Sequence, residues 1–370
     1  MRLLHTADFH FGKKTHGSAD GGINSRLRDI EQSVSRVRKT ATEHKVDGII
    51  IAGDVFEHST PTPTQQRVAI DSIKTLIKVA PVFMITGNHD HPVTRGLKHA
   101  NDVFREIDGV TLIDRPTVTS WQGLNIAALP WPIPEFLENG DSIVDKYKAL
   151  VEQAVQKDGL SIAVGHFTCR GSLPSGSERS LEMSSEALFG TDMFEGLDYT
   201  ALGHIHKHQE VGPNVVYSGA PERFTFGENT PKGSVIVEFN EEKTTWEFVE
   251  HPASKFVVIE VEAVNNESPT SVIIEEIKKC DVKDAFVHIK YRSSFAAQIT
   301  PIVETLREQK ARQLIKLDEV SQEIEVNGKE VEPLDGISER DLVEAYMDER
   351  KIPGPLKEKS LALYDMIRSN

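Results

Sequence analysis

Met1-Arg2-Leu3-Leu4-His5-Thr6-Ala7-Asp8-Phe9-His10 and Gly48-Ile49-Ile50-Ile51-Ala52-Gly53-Asp54 share one design: an apolar run, a small residue, then a side chain that can bind a metal. The design recurs three times. Residues 82–86 lead into Gly87-Asn88-His89-Asp90, residues 161–164 into Gly165-His166, and residues 199–202 into Gly203-His204-Ile205-His206. Short runs rich in Val and Ile read as buried strands. Polar residues at the carboxyl ends of such strands converge on one edge, where α/β folds bind ligands. The converging set is Asp8, His10, Asp54, Asn88, His166, His204 and His206. Mixed oxygen and nitrogen donors suit divalent transition ions, and seven are too many for one ion and enough for two. Taken singly, each motif has a plainer reading: Gly-Asn-His as a turn, His-x-His as surface residues. Their order and repetition favour the metal.

Two ions roughly 3.5–4 Å apart can share one carboxylate and activate water for in-line attack on phosphorus. Asp54, at the end of the most apolar run, is the natural bridge. His89 has two readings. Either it stabilises the transition state and protonates the leaving oxygen, or it only orients Asn88 or Asp54; the direct role is favoured. His58, His91 and His208 neighbour the motifs and are candidates to hold ligands from behind. His5, His16, His44, His99, His251 and His288 read as structural or surface histidines. Lys13, Lys14, Arg95, Lys98, Arg170 and Arg223 are candidate phosphate contacts.

A chain of 370 residues can bury a sizeable core and holds more than one domain. The net charge of −15 argues against gripping nucleic acid with the whole surface. Two bound divalent ions would add four local positive charges, so a phosphodiester substrate stays open. No apolar stretch approaches a membrane span. The first strand starts at Met1, which leaves no signal peptide and places the chain in the cytoplasm. Two distant cysteines, Cys169 and Cys280, fit a reducing compartment; Cys169 reads as a small filler near the site.

Between the strands, Ile23, Leu27, Ile30, Val34, Val37 and Ala41 mark one face of a helix. Thr62-Pro63-Thr64-Gln65 predicts a capping box with proline at the first helical position, opening a helix that carries Val68, Ile73, Leu76 and Ile77. Strands are expected at 124–128, 215–217, 234–239 and 245–249. The fold class is α/β (α+β): a two-sheet β-sandwich flanked by helices, with a small α+β domain after it. The organisation expected is 1–253 for the catalytic domain, 254–320 for the small capping domain, 321–336 for a linker and 337–370 for terminal helices. In the small domain, 256–261 and 285–291 read as strands, 271–279 and the stretch around Ile299 to Leu306 as helices. Residues 321–350 hold ten acidic and three basic residues, a solvated linker and helix start.

Asp8-Phe9-His10, Gly53-Asp54, Gly87-Asn88-His89-Asp90, Gly165-His166 and Gly203-His204-Ile205-His206 resemble the calcineurin-like metallophosphoesterases. Three further segments are similar to the SbcD family, the nuclease subunits of SbcC–SbcD repair complexes. These are Leu4-His5-Thr6-Ala7-Asp8-Phe9-His10-Phe11-Gly12-Lys13, Gly53-Asp54-Val55-Phe56, and 217–224 with Phe226-Gly227-Glu228. The resemblance implies one ion on Asp8, His10, Asp54 and His206, the other on Asp54, Asn88, His166 and His204, and His89 as the catalytic histidine. It implies manganese as the usual metal, with magnesium as the alternative. Implied activities are a 3′-to-5′ exonuclease on duplex DNA ends and an endonuclease on single strands and hairpins. The implied partner is an SbcC-type ATPase with coiled coils, met through the terminal helices by a homodimer within a heterotetramer. Val68, Ile73 and Leu76 suit either the dimer contact or packing on the sheet. Glu57 departs from the pattern, which has His or Asp there, and is the open position behind the ligands. Other readings are a phosphomonoesterase or cyclic-nucleotide phosphodiesterase on the same scaffold, and a non-catalytic scaffold for DNA ends. The missing Arg-Gly after Asp54 speaks against a protein phosphatase, and the complete ligand set against a scaffold.

Overall fold

Strands form where the apolar runs are, and helices where the spacing changes from runs to steps of three and four. The computed structural model describes residues 1–319 except 21–22, 92–97, 138–141, 157, 177–187, 241–242, 265 and 267, together with Lys357 and Leu361. The chain divides into two compact units, Met1–Val320 and Ser321–Asn370. In the second unit the described residues are Lys357 and Leu361, both helical. The acidic run and the rest of the expected tail lie outside the described residues.

The first unit opens with β1 (Arg2–Thr6), the short β2 (Ala19–Asp20) and β3 (Ile23–Asn24), then α1 (Ser25–Glu43), β4 (Gly48–Ala52), α2 (Pro63–Ile77) and β5 (Val82–Ile85). It continues with β6 (Val110–Ile113), β7 (Thr117–Trp121), β8 (Leu124–Leu129), α3 (Ile143–Val155), β9 (Ser161–His166) and β10 (Tyr199–Gly203). β11 (Gln209–Gly212), β12 (Val215–Tyr217), β13 (Lys232–Phe239) and β14 (Thr244–His251) complete the sandwich. Among the described residues its strands make two six-stranded sheets, ordered β14-β13-β1-β4-β5-β6 and β11-β12-β10-β9-β8-β7.

Helix ends follow local chemistry. The Asn24 side chain accepts from Arg26 N and starts α1. Thr62 and Gln65 form the expected reciprocal capping box on α2, with Pro63 leading it. Leu27, Ile30, Val34, Val37 and Ala41 of α1 are buried with Ile73 and Leu76 of α2 against the first sheet. Leu3, Ile50, Phe83, Ile126, Ile162 and Tyr199 fill the space between the sheets. Tyr147 and Val151 of α3 cover the outer face of the second sheet. Layers therefore run helix, sheet, sheet, helix.

β1, β4 and β5 are mutually parallel neighbours in the first sheet, and β8, β9 and β10 in the second. Their carboxyl ends meet at one edge, which brings the five motifs of the sequence together.

After the sandwich come β15 (Lys255–Ala263), α4 (Pro269–Lys279), β16 (Ala285–Ser293), α5 (Ile299–Glu308) and β17 (Gln313–Glu319). They form a parallel three-stranded sheet with its own apolar cluster around Ile259, Ile273, Ile289 and Ile302. β17 was not legible in its sequence: as an edge strand it alternates weakly and is half solvated. Arg26, fully buried, ties α1 to this region. It pairs with Asp29 at 2.6 Å, donates to Ser254 Oγ at 2.7 Å, and lies over the rings of Phe256 and Phe286.

Candidate metal centre

Asp8, His10, Asp54 and His204 all have positive φ, at 58, 51, 49 and 88°. Non-glycine residues rarely adopt this conformation, and it costs free energy that the surrounding structure must offset. Here each residue leaves its strand by a sharp turn that throws the side chain over the sheet edge. The glycines ahead of the ligands are equally constrained. A Cβ on Gly53, itself at φ +92°, would sit 2.2 Å from His166 Nδ1, and one on Gly203 would sit 2.0 Å from Ala52 O. Only glycine lets the two sheets approach closely enough to combine their ligands.

The edge gathers all seven expected ligands. Asp8, His10, Asp54, His166, His204 and His206 are buried. Asp8, His10 and His206 offer atoms within 4.8 Å of one another, as do Asp8, Asp54 and His166, and also His10, Asp54 and His89. Asn88 Oδ1 lies 3.0 Å from His166 Nε2 and 3.2 Å from His204 Nδ1. Backbone donors fix the carboxylates. The His204 amide donates to Asp8 Oδ1 at 3.0 Å, and the His89 amide to Asp54 Oδ1 at 2.9 Å.

Ring tautomers show what this arrangement lacks. His166 Nδ1 lies 2.7 Å from the Ala52 carbonyl, which can only accept, so the ring proton is on Nδ1. When the ring is neutral, its Nε2 lone pair faces Asn88 Oδ1 at 3.0 Å and Asp54 Oδ2 at 3.3 Å. His10 Nδ1 lies 2.9 Å from Glu57 Oε2, and Glu228 Oε1 lies 3.6 Å from His206 Nδ1. With protons on both Nδ1 atoms, the Nε2 lone pairs of His10 and His206 point at each other across 3.0 Å. Facing lone pairs repel unless a cation stands among them. The residues present therefore fit divalent ions, through their geometry as much as through donor type.

A proton on His166 Nε2 is the other way to join that ring to Asp54. Burial disfavours a charged His166, yet Asp54 overrides it and raises the ring to about 9. Burial pushes Asp54 up, and His166 and His89 pull it well below the carboxylate range. Burial raises Asp90 to about 6, helped by the Asp54 charge. Asp90 accepts from the amides of Phe56 and Gly87, clasping the two loops that carry Asp54 and Asn88.

Glu57, open in the sequence, lies directly behind His10 and also pairs with Lys13 Nζ at 2.8 Å. Burial would raise its carboxyl, but the His10 hydrogen bond and Lys13 hold it down at about 2. Glu228 is a site residue that sequence reasoning misses. It is buried against Lys232 Nζ at 2.5 Å, and Lys232 also donates to the His206 carbonyl at 2.9 Å. No sequence period marks this pair; its signal is the Phe226-Gly227-Glu228 segment. His89 is half-buried, its Nδ1 2.9 Å from the Glu57 carbonyl and its ring edge-on to His10.

The expected phosphate contacts divide. Lys14 and Arg170 are exposed. Lys13 is held by Glu57, and Lys98 pairs with Asp102 at 3.4 Å. Arg223 turns inward instead: its guanidinium donates to the carbonyls of Glu228, Ser254 and Thr230 and braces the loop behind His206. Arg95 lies outside the described residues. Of the neighbouring histidines, His58 is exposed, His91 bonds Thr86 Oγ1, and His208 stacks on Phe248. A separate trio, His99, Asp102 and Asp114, is closed by Arg105, which contacts both carboxylates.

The profile of a family described as calcineurin-like phosphoesterase matches residues 1–208. The D chain of the SbcCD nuclease of Bacillus subtilis is 28% identical over 279 residues, covering 67% of this chain and 69% of that one. The corresponding SbcCD nuclease chain of Staphylococcus saprophyticus is 25% identical, covering 79% and 78%. The DNA double-strand break repair protein Mre11 of Saccharolobus solfataricus is 27% identical, covering 65% and 61%. Among the described residues no helix is long and apolar enough to cross a membrane.

Proposed function

This chain belongs to the calcineurin-like phosphoesterase family, as a metal-dependent phosphodiesterase akin to SbcD nucleases, and on that premise we propose that it cleaves phosphodiesters at DNA ends. The observation that carries the reading is the convergence of imidazole, carboxylate and amide donors on one sheet edge, with His10 Nε2 3.0 Å from His206 Nε2 and His166 Nε2 3.0 Å from Asn88 Oδ1 and 3.3 Å from Asp54 Oδ2, a donor set that suits two divalent ions. Asp8, His10, Asp54 and His206 would hold one, and Asp54, Asn88, His166 and His204 the other. Imidazole-rich donor sets favour manganese over magnesium. When bound, the ions acidify water and offset charge on the phosphoryl oxygens.

The chain's own groups do the rest. Asp54, fixed by the His89 amide, keeps one carboxylate between the two donor sets. His89 donates its Nδ1 proton to the Glu57 carbonyl, which leaves Nε2 facing the substrate; as an imidazolium, with a second proton on Nε2, it hands that proton to the leaving oxygen and ends neutral. Lys14 and Arg170, exposed near this edge, meet the flanking phosphates. With the relatives named as parts of SbcCD nucleases, the chain acts in the cytoplasm as a 3′-to-5′ duplex exonuclease and a hairpin and single-strand endonuclease. It works as a homodimer with an SbcC-type coiled-coil ATPase, bound through residues 337–370.

The test is the purified chain with manganese, end-labelled duplex DNA and a chromogenic phosphate monoester. Manganese-dependent release of nucleotides, stopped by EDTA, is expected, with little monoester hydrolysis. Monoester hydrolysis without DNA cleavage would overturn the reading. Deleting residues 331–370 is expected to leave the nuclease active and to abolish co-elution with the ATPase; unchanged co-elution would remove that part.

A further inference from the structure

The chain has three tryptophans. Trp121 is buried between the sheets, and Trp246 packs against the same cluster. Trp131 belongs to none of the four apolar clusters. Its ring neighbours are two of the candidate ligands, His204 at 5.1 Å and His166 at 6.2 Å between centroids. It is half-buried, whereas Trp121 is buried. A large aromatic that packs on ligands rather than on the core is not explained by folding.

Its placement follows the strand logic of the ligands. β8 runs parallel to β9, so its carboxyl end reaches the edge that carries His166. The loop there is Leu129-Pro130-Trp131-Pro132, and proline on either side restricts the backbone. Two hydrogen bonds pin it further. The Tyr147 hydroxyl donates to the Pro130 carbonyl at 2.6 Å, and the Trp131 amide donates to the Thr86 carbonyl at 3.0 Å. The indole is thus held on a fixed backbone and loses little freedom on meeting a ligand. On the opposite side of the site, Phe224 packs on His10 and His206 but is fully buried, with no face for a substrate.

We propose that Trp131 is the platform on which the nucleobase next to the scissile phosphate stacks. The inference rests on the phosphodiesterase reading and extends it to the substrate's base. A flat, sequence-tolerant partner suits an enzyme that cuts DNA without reading it, because every base has a π-face. A monoesterase acting on small phosphates would gain nothing from it.

Trp131→Ala and Trp131→Phe, in the full chain loaded with manganese, are to be compared on two diesters. One is the p-nitrophenyl ester of thymidine 5′-phosphate; the other is methyl p-nitrophenyl phosphate, which has no base. For Trp131→Ala, KM for the thymidine ester is expected to rise about tenfold, the scale of one lost base stack. KM for the methyl ester should stay within about twofold, with kcat and bound manganese unchanged. Trp131→Phe should recover most of the loss. An equal change on both esters, or lost manganese, would mean that the indole merely supports His204 and would overturn the proposal. So would no change on either ester. Wild-type protein that cleaves neither diester would instead refute the phosphodiesterase reading, and this inference with it.

Discussion

The two halves of the site hold their histidines differently. His10 and His206 have carboxylates behind them, Glu57 at 2.9 Å and Glu228 at 3.6 Å. His166 Nδ1 meets the Ala52 carbonyl at 2.7 Å, with Asp8 Oδ1 farther off at 4.0 Å, and His204 lies against the Trp131 ring. A carboxylate raises the basicity of the ring it backs more than a carbonyl dipole does. The first half therefore backs its rings with carboxylates, and the second with a carbonyl dipole and an aromatic face. The contrast teaches that similar histidines in one cluster can be supported in two ways, by carboxylates on one side and by a carbonyl and an indole on the other.

Asp54 is common to both halves, so its loss should erase the contrast. Asp54→Asn is expected to cut nuclease activity on the order of a thousandfold or more and weaken both ions. Full activity at limiting manganese would show that the halves work independently. His89 stands over the first half without being counted among its ligands. His89→Ala should retain two manganese ions and lose on the order of a hundredfold in cleavage; metal analysis showing an empty position would make it structural.

The carboxylates test the contrast most directly. Glu228→Gln and Glu57→Gln are each expected to weaken one of the two manganese ions by roughly ten- to a hundredfold, leaving the other unchanged. Calorimetric titration resolves the two steps, and equal weakening of both would dissolve the distinction between the halves. A histidine with neither kind of backing gives the reference. His251 lies between Thr40 Oγ1 and Ser234 Oγ, and burial, helped by the Arg36 charge, lowers it to about 4. A depressed histidine contributes stability that is complete above its unfolded value near 6.5 and is lost as pH falls toward 4. Between pH 7 and 4.5 the metal-free chain should lose about 2 kcal/mol through His251. Thermal melts of His251→Gln should show a correspondingly flatter pH dependence.

Much of this was legible in the residues. Apolar runs ending in a small residue and then a ligand located β1, β4, β5, β9 and β10, because buried parallel strands need continuous apolar runs and deliver their ends to one edge. The capping box at Thr62 and Gln65 was equally plain, since helix starts are local chemistry. Other features had no local signal. Arg223 looked like a phosphate contact by its type, but three carbonyls converge on its guanidinium only after the loop has folded. Glu228 and Lys232 are an ordinary pair in the sequence and become the support of His206 only through burial. Trp131 could have been core until β8 was seen beside β9. Residue type and period determine which elements form and what chemistry they can carry. Which donor faces which acceptor depends on contacts between residues tens to hundreds of positions apart, such as the 196 that separate His10 from His206, and no local pattern encodes those.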